Sequence, residues 1–308
     1  MKKQPRFTIA DFNKVFPDEA ACLEVLKVIV YPDGIKCRKC KKIRPHHRLM
    51  NRKAYSCDYC GTHVYPLAGT IFEKSTTPLK SWYYAMFLVA STRCGISAKQ
   101  LEREVGVSYK TAWRMFNQIR KLMAEDVKLS GAVEADETFI GGRRRGQKRG
   151  RPQRGSHKSI VFGVVERGGK VAALVTPDAS KRSLMPIIKA KVMPQSLIYT
   201  DEWITYDSLS KRGFEHRRTP HAEKVYVVGD IHTNTIEGFW SLLKNGIRGV
   251  YHSVSSRHLQ SYINEYAFRY NHRSDPVPMY SLIKGQVGQV RHGRYGAYAP
   301  IKKLAGGA

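Results

Sequence analysis

The chain has 308 residues, 42% of them hydrophobic, enough to bury two or three small cores. Lys and Arg number 53 against 25 Asp and Glu, a formal charge of +28. A charge this large calls for a polyanionic partner, because neutralised phosphates release their condensed counterions. No run of about 18 apolar residues occurs, and the basic stretches lack an amphipathic apolar face, which excludes the membrane classes. The start, MKKQPRFTIADF, has no apolar signal core, so a cytoplasmic location is expected.

Residues 1–34 read as a helical lead-in. Phe12, Phe16, Leu23, Leu26 and Ile29 recur at roughly helical spacing, and YPDG at 31–34 is a turn. Residues 35–75 are turn-rich and hold four of the six cysteines. Cys37 and Cys40 form one C-x2-C pair and Cys57 and Cys60 another, with sixteen residues between them. Two such knuckles complete a tetrahedron of thiolates with no open position, so a structural zinc ribbon is expected. Its many lysines and arginines point to DNA contact. Cys22 and Cys94 read as buried free thiols.

Residues 76–127 read as helical. SWYYAMFLVAST (81–92) is apolar over a wide face. Ser97 is a candidate N-cap, Gly106 marks a turn, and SYKTAWRMFNQIRKLM (108–123) is a second helix. The pair resembles a helix-turn-helix DNA-binding segment, with Lys110 and Arg114 facing bases and phosphates. An ordinary helical connector is the alternative.

The texture changes over 128–285. AVEADETFI (132–140) reads as a strand, and SIVFGVVE (159–166) with KVAALVTP (170–177) reads as a hairpin across GG. A helix follows from Ser183 to Val192, then a short strand at 196–200 and helices at 232–247 and 256–271. Three strands in a meander, then a strand reached through a helix, is the plan of an RNase H-like mixed α/β sheet. The run GGRRRGQKRGRPQRGSHK (141–158) carries Arg143, Arg144, Arg145, Arg149 and Arg151. It reads as a phosphate clamp, with an AT-hook around RGRP as the second reading. The tail, 286–308, is basic, Gly-rich and expected to be loose.

Three acids stand on separate elements. Asp136 lies mid-strand, with Glu134 and Thr138 on its face; an acid there needs a partner or a metal. Asp201 ends a buried strand, at the carboxyl edge where α/β sheets place sites. Glu237, with 35 residues between it and Asp201, lies on a helix. There Ile236, Phe239, Trp240 and Leu243 form the packed face, and Glu237, Ser241, Lys244 and Arg248 a polar stripe. Phosphoryl transfer on DNA needs charge stabilisation more than a covalent side chain, and two carboxylate-held Mg2+ or Mn2+ ions supply it. Each acid alone reads as salt-bridged, capping or solvated; together they read as a catalytic set. Asn234, one turn before Glu237, is an alternative third ligand, and Lys244 would meet phosphate near the cut. Glu134, Glu137 and Glu202 read as supporting or surface acids.

These residues carry a resemblance. VEADETFIGG (133–142), YTDEWITY (199–206), HTNTIEGFWSLLKNGIRGVYH (232–252), FRYNHR (268–273) and FPDEAACLEVL before the paired cysteines resemble the ISXO-type zinc-ribbon DDE/D transposases of bacterial insertion sequences. The resemblance implies an RNase H-like fold, a divalent-metal triad and strand transfer at the ends of an element. The implied partners are terminal inverted repeats, target DNA and further copies of the chain in a synaptic complex, on the nucleoid. A zinc-ribbon DNA-binding regulator without catalysis and a structure-specific nuclease of the same fold remain as alternatives.

Overall fold

The computed structural model describes residues 6–141, 158–201, 204–218 and 233–288. Two compact units divide the chain. The first takes in the residues up to Ser91, then Ala98–Leu122, then those from Asp275 on; the second is Thr92–Ser97 with Met123–Ser274.

The first unit opens on α1 (Ile9–Val15) and α2 (Glu19–Val30). Both start on local caps: Thr8 and Asp11 form a capping box, and the Asp18 carboxylate accepts from the Ala21 amide. Strands β1 (His46–Arg48), β2 (Tyr55–Cys57) and β3 (His63–Val64) make a small antiparallel sheet. Next comes α3 (Leu79–Ser91), preceded by Pro78, which offers no side-chain acceptor. Glu19 of α2 substitutes, accepting from the amides of Leu79 (2.8 Å) and Lys80 (3.1 Å). Phe12, Phe16, Phe72, Trp82 and Tyr83 form an aromatic core. Helices α4 (Ala98–Val105) and α5 (Tyr109–Leu122) are joined through Gly106, whose φ of 70° ends α4 in the left-handed region.

The second unit is a mixed sheet with helices on both faces. Its elements are β4 (Ala132–Ile140), β5 (Ser159–Glu166), β6 (Val171–Thr176), α6 (Lys181–Lys191), β7 (Leu197–Thr200), β8 (Glu215–Arg218), α7 (Asn234–Gly246) and α8 (Leu259–Asn271). The strand order is β6-β5-β4-β7-β8. β4, β5 and β6 are antiparallel; β7 runs parallel to β4, and β8 to β7. Three meandering strands with two parallel additions beside the first give the RNase H-like order. Alternation along the strands separates two cores. Val133, Ala135, Phe162 and Ile198 pack with Leu184 and Ile188 of α6. Val161, Val165 and Ala173 pack with Ile236, Phe239 and Trp240 of α7 and Ile263 and Tyr266 of α8.

Two side-chain amides close the free edge of β6. Asn271 accepts from the Val171 amide and donates to its carbonyl; Gln260 accepts from the Val175 amide and donates to the Ala173 carbonyl. α8 thus takes the hydrogen bonds that an exposed edge offers to another strand.

The last helix, α9 (Pro278–Gly288), belongs to the first unit. Met279, Leu282 and Ile283 recur at helical spacing and are buried, beside α2 and α3. The expected segment 128–285 is thus divided between the two units at Asp275, and the chain is helical to Gly288. Glycine at 285 and 288 masked that apolar face. The lead-in, ribbon and helical segment also form one compact unit rather than three. Cys22 is buried as expected, whereas Cys94 is exposed.

Two glycines of α7 predict opposite responses. A Cβ on Gly246 would lie 1.7 Å from the Tyr266 hydroxyl, which is held by its bond to the Cys94 carbonyl; nothing lies within 4 Å of one on Gly238. Alanine adds helix propensity at both, about 1 kcal/mol. In urea unfolding, Gly238→Ala should raise stability by about that amount. Gly246→Ala should lower it by about 1–3 kcal/mol through overpacking.

Candidate active site and metal centre

The four paired cysteines converge. Among the described residues, theirs is the one set of three or more His, Cys, Asp or Glu ligand atoms all within 4.8 Å of one another. The two knuckles repeat one another. In each, the residue after the second cysteine donates its amide to the first cysteine's carbonyl: Lys41 to Cys37 (2.9 Å) and Gly61 to Cys57 (3.1 Å). Lys41 and Gly61 both have positive φ, 61° and 69°, which wraps the backbone around the sulfurs. The Cys60 thiol is lowered to about 6, first by the hydroxyl of Thr62, which lies 3.1 Å from its sulfur. The Cys40 thiol is pushed up to about 12, first by its hydrogen bond with Cys60.

The acids meet on the α7 side of the second unit's sheet. In the parallel pairing of β4 with β7, Glu134 lies beside Tyr199. Two residues further on are Asp136, still on β4, and Asp201, the first residue after β7. Burial pushes the Asp136 carboxyl from 3.8 up to about 6, and the charges of Asp201 and Glu237 add to the rise. Both charges therefore reach Asp136, although the acids are not as tightly gathered as the cysteines. Asn234 and Glu237 are both exposed in the first turn of α7. Lys244, half-buried on the same helix, is lowered by burial, while the charge of Asp136 draws it upward.

Side chains around the acids fix them in place. Trp240 donates its indole Nε1–H to Asp136 Oδ2 at 2.9 Å. The ring lies over Gly163, the residue paired with Asp136 across β4 and β5; a Cβ there would meet it at 2.5 Å. The Thr233 hydroxyl donates to Glu237 at 3.3 Å. On the opposite face of β4, the Tyr206 hydroxyl donates to Glu137 at 2.6 Å. Arg217 and Arg218 of β8 border the end of β7, Arg218 paired in register with Thr200.

The structure thus brings Asp136, Asp201, Glu237, Asn234 and Lys244 to one region. Lys110 and Arg114 belong to the first unit, exposed near the start of α5 beside the exposed Tyr109 and Trp113. Arg143, Arg144, Arg145, Arg149 and Arg151 lie outside the described residues, as does Glu202. Sequence reasoning missed the polar part of Trp240, placed only on a packed face, and the importance of Glu134. An acid two residues from Asp136 on the same strand face was the available signal. Among the described residues no helix is long and apolar enough to cross a membrane.

Comparison with known proteins finds two matching family models and several relatives. Residues 128–271 match the ISXO2-like transposase domain, and residues 17–63 match the transposase zinc-ribbon domain. An uncharacterized protein in transposable element ISH50 of Halobacterium salinarum is 29% identical over 275 residues, spanning 83% of this chain and 92% of that protein. An uncharacterized transposase-like protein of Haemophilus influenzae is 30% identical over 121 residues, 38% of this chain and 97% of the relative. Among solved structures, the pre-cleavage Mos1 transpososome aligns at 12% identity with a TM-score of 0.28, covering 64% of this chain and 75% of that one. The zinc-ribbon and transposase-domain matches, with the four-cysteine cluster and the RNase H-like sheet, place the chain in the ISXO2-like family of zinc-ribbon DDE transposases.

Proposed function

We propose that this transposase cleaves DNA strands at the ends of an insertion sequence and joins the resulting 3′-hydroxyls to target DNA, using divalent metal ions. The observation that carries the reading is the placement of three acids from separate elements on one side of the sheet: Asp136 on β4, held by Trp240 of α7, with Asp201 after β7 and Glu237 in the first turn of α7 near enough for their charges to reach it, and Lys244 beside them. Asp136, Asp201 and Glu237 would hold two Mg2+ or Mn2+ ions, with Asn234 as the alternative to Glu237. The donor set fits: hard carboxylate oxygens suit these cations, and a nearby dication reverses the cost that holds Asp136 near 6. Such ions activate the attacking oxygen and stabilise charge on the phosphate. Trp240 aims the Asp136 carboxylate, and Lys244 offers a cation to the phosphate beside it.

Four soft thiolates suit zinc in a closed structural site, so the ribbon holds zinc at Cys37, Cys40, Cys57 and Cys60. Lys110 and Arg114 on α5 and the arginines at 143–151 take the phosphates and bases of terminal repeats and target DNA. Joining two ends calls for a homodimer or larger assembly, working on the nucleoid in the cytoplasm. The functional order is then a ribbon, a helix-turn-helix-like segment and an RNase H-like catalytic domain.

The activity test is direct. With Mg2+ or Mn2+ and terminal-repeat DNA, the wild type should cleave and join. Asp136→Ala and Asp201→Ala should each lose more than about 100-fold, the scale of one charge-stabilising group. Equal cleavage by all three would sink the reading. Binding without metal-dependent cutting would favour a regulator, and cutting without joining a nuclease.

A second prediction concerns the ribbon. Cys37→Ser should lose zinc and terminal-repeat affinity while the circular dichroism of the catalytic unit persists. Unchanged zinc content and DNA affinity would refute it.

A third follows from the pKa of Asp136. The folded state keeps this proton up to about pH 6, while an ordinary aspartate releases it near 3.8. Between these values the unfolded state binds fewer protons, so stability falls as pH rises through the window. Asp136→Asn keeps an acceptor for Trp240 and removes this cost. Without Mg2+ or Mn2+ it should be more stable than wild type by about 1–3 kcal/mol at pH 7.5 and equal to it at pH 4. Added Mg2+ should stabilise the wild type more than the variant. A variant less stable at pH 7.5 would contradict this account.

A further inference from the structure

The Glu134 carboxylate is wholly buried, two residues before Asp136 on the same face of β4. Four donors converge on it. Oε2 accepts from the backbone amides of Thr235 at 2.8 Å and Ile236 at 3.0 Å. Oε1 accepts from the Thr235 hydroxyl at 2.9 Å and from Arg167 Nε at 2.8 Å. The first two are first-turn amides of α7, which no preceding residue in the helix can satisfy. Thr233, at the N-cap position, makes no capping bond; its hydroxyl is turned to Glu237 instead. A residue one hundred positions earlier in the chain performs the capping.

The other side of the knot is also fixed. The Arg167 guanidinium stacks over Tyr199, 4.0 Å from the ring centroid, and Tyr199 pairs with Glu134 across β4 and β7. Glu134 is therefore tied to β7, to the turn after β5 and to α7 together. Within one turn of the anchored amides stand Asn234 and Glu237; one turn further is Trp240, bonded to Asp136.

We propose that Glu134 is a positioning residue for the acid site: it sets the height and rotation of α7 over β4, so that Glu237 and Asn234 are presented beside Asp136 and Trp240 reaches its carboxylate. The proposal rests on the metal-site reading above. It explains why a charged side chain is spent on a helix start that a local Ser, Thr or Asp caps at lower desolvation cost. The carboxylate does what a local cap cannot, which is to lock one acid-bearing element to another. Partners one step removed from metal-binding groups fix ligand orientation in this way.

The test is Mn2+ binding by the full chain, read from the electron paramagnetic resonance of the free ion, with Mn2+-dependent cleavage of terminal-repeat DNA beside it. Asp136→Asn identifies the site by the Mn2+ it fails to bind. Glu134→Gln keeps the shape but places an NH2 group where the donors converge. It should bind terminal-repeat DNA normally without added divalent ions, yet weaken the Asp136-dependent Mn2+ site about tenfold or more. Its cleavage should need correspondingly more Mn2+. Glu265→Gln is the control for general loss of stability. Glu265 is another wholly buried carboxylate in this unit, ion-paired to Arg269 on α8 at 2.6 Å. It should destabilise the fold and leave Mn2+ affinity within about twofold of wild type, well short of the tenfold loss. Wild-type Mn2+ affinity in Glu134→Gln overturns the proposal, and so does an equal loss in Glu265→Gln. If Asp136→Asn removes no Mn2+ site at all, the metal-site reading itself falls.

Discussion

The second unit depends on how the N-terminus of α7 is held, because that helix brings three kinds of side chain to the sheet at once. Its first-turn amides end on the buried Glu134 carboxylate. With that end fixed, Ile236, Phe239, Trp240 and Leu243 sink into the core on β5 and β6. Trp240 then lies over Gly163, which has no Cβ to hold it off, and its indole nitrogen meets Asp136. The exposed side of the same helix carries Glu237 and Lys244. A rotation of one residue, about 100°, would bury the stripe and expose the tryptophan. The first unit uses the same device: Glu19 on α2 caps α3, and Lys53 lies 2.6 Å from that carboxylate. In both units a carboxylate from one element starts another, so tertiary contact and helix boundary are a single interaction.

Against this rigid frame, Asp136 is held in a poor environment for its charge. Burial and the neighbouring acids both favour its protonated form, and the Trp240 hydrogen bond offsets them only in part. Glu134, although more deeply buried, has an arginine and two amides arranged around it. The contrast between the two acids, two residues apart on one strand, separates their work. Glu134 is saturated with donors and has nothing left to offer a ligand. Asp136 has one side-chain donor, Trp240, and on the proposed reading keeps an oxygen for a cation. A fold that only needed a stable strand would not leave a carboxylate so; strained charge of this sort is what a ligand-binding site retains at the expense of stability.

Much of this was legible in the sequence. β4 and β5 fall on the expected residues, because alternation and the GG turn are local signals. The cysteine pairs announced their convergence, since a knuckle is set by five consecutive residues. The packed and polar faces of α7 followed from a 3.6-residue period. What escaped was non-local or masked. α9 hides three buried apolar residues in a Gly-rich run. The start of α7 has a threonine, Thr233, at its N-cap position, but the cap comes from Glu134 and the Thr233 hydroxyl turns to Glu237. Trp240 read as core because its ring is core; only the position of Asp136 across from Gly163 reveals the use of its nitrogen. Register, which joins Asp136 to Gly163 and Glu134 to Tyr199, is not written in either strand alone.

The distribution of charge completes the argument. In a chain with more than twice as many basic as acidic residues, Asp136 on β4, Asp201 just after β7 and Glu237 at the start of α7 come to one side of the sheet. Lys244 of α7 stands beside Asp136, Arg248 follows just after that helix, and Arg217 of β8 pairs in register with Tyr199 of β7. The two signs act over different ranges. Net positive charge attracts a polyanion from a distance, subject to screening over about 8–10 Å. The acid cluster acts only on what is already within a few ångströms, and on cations more than on anions. A DNA strand drawn in by the basic surface would meet at its phosphate a site whose repulsion is removed only when divalent cations lie between. On the proposed reading, metal dependence is therefore a property of the electrostatics as well as of the chemistry: the same ions that stabilise the transition state let the phosphate approach the carboxylates at all.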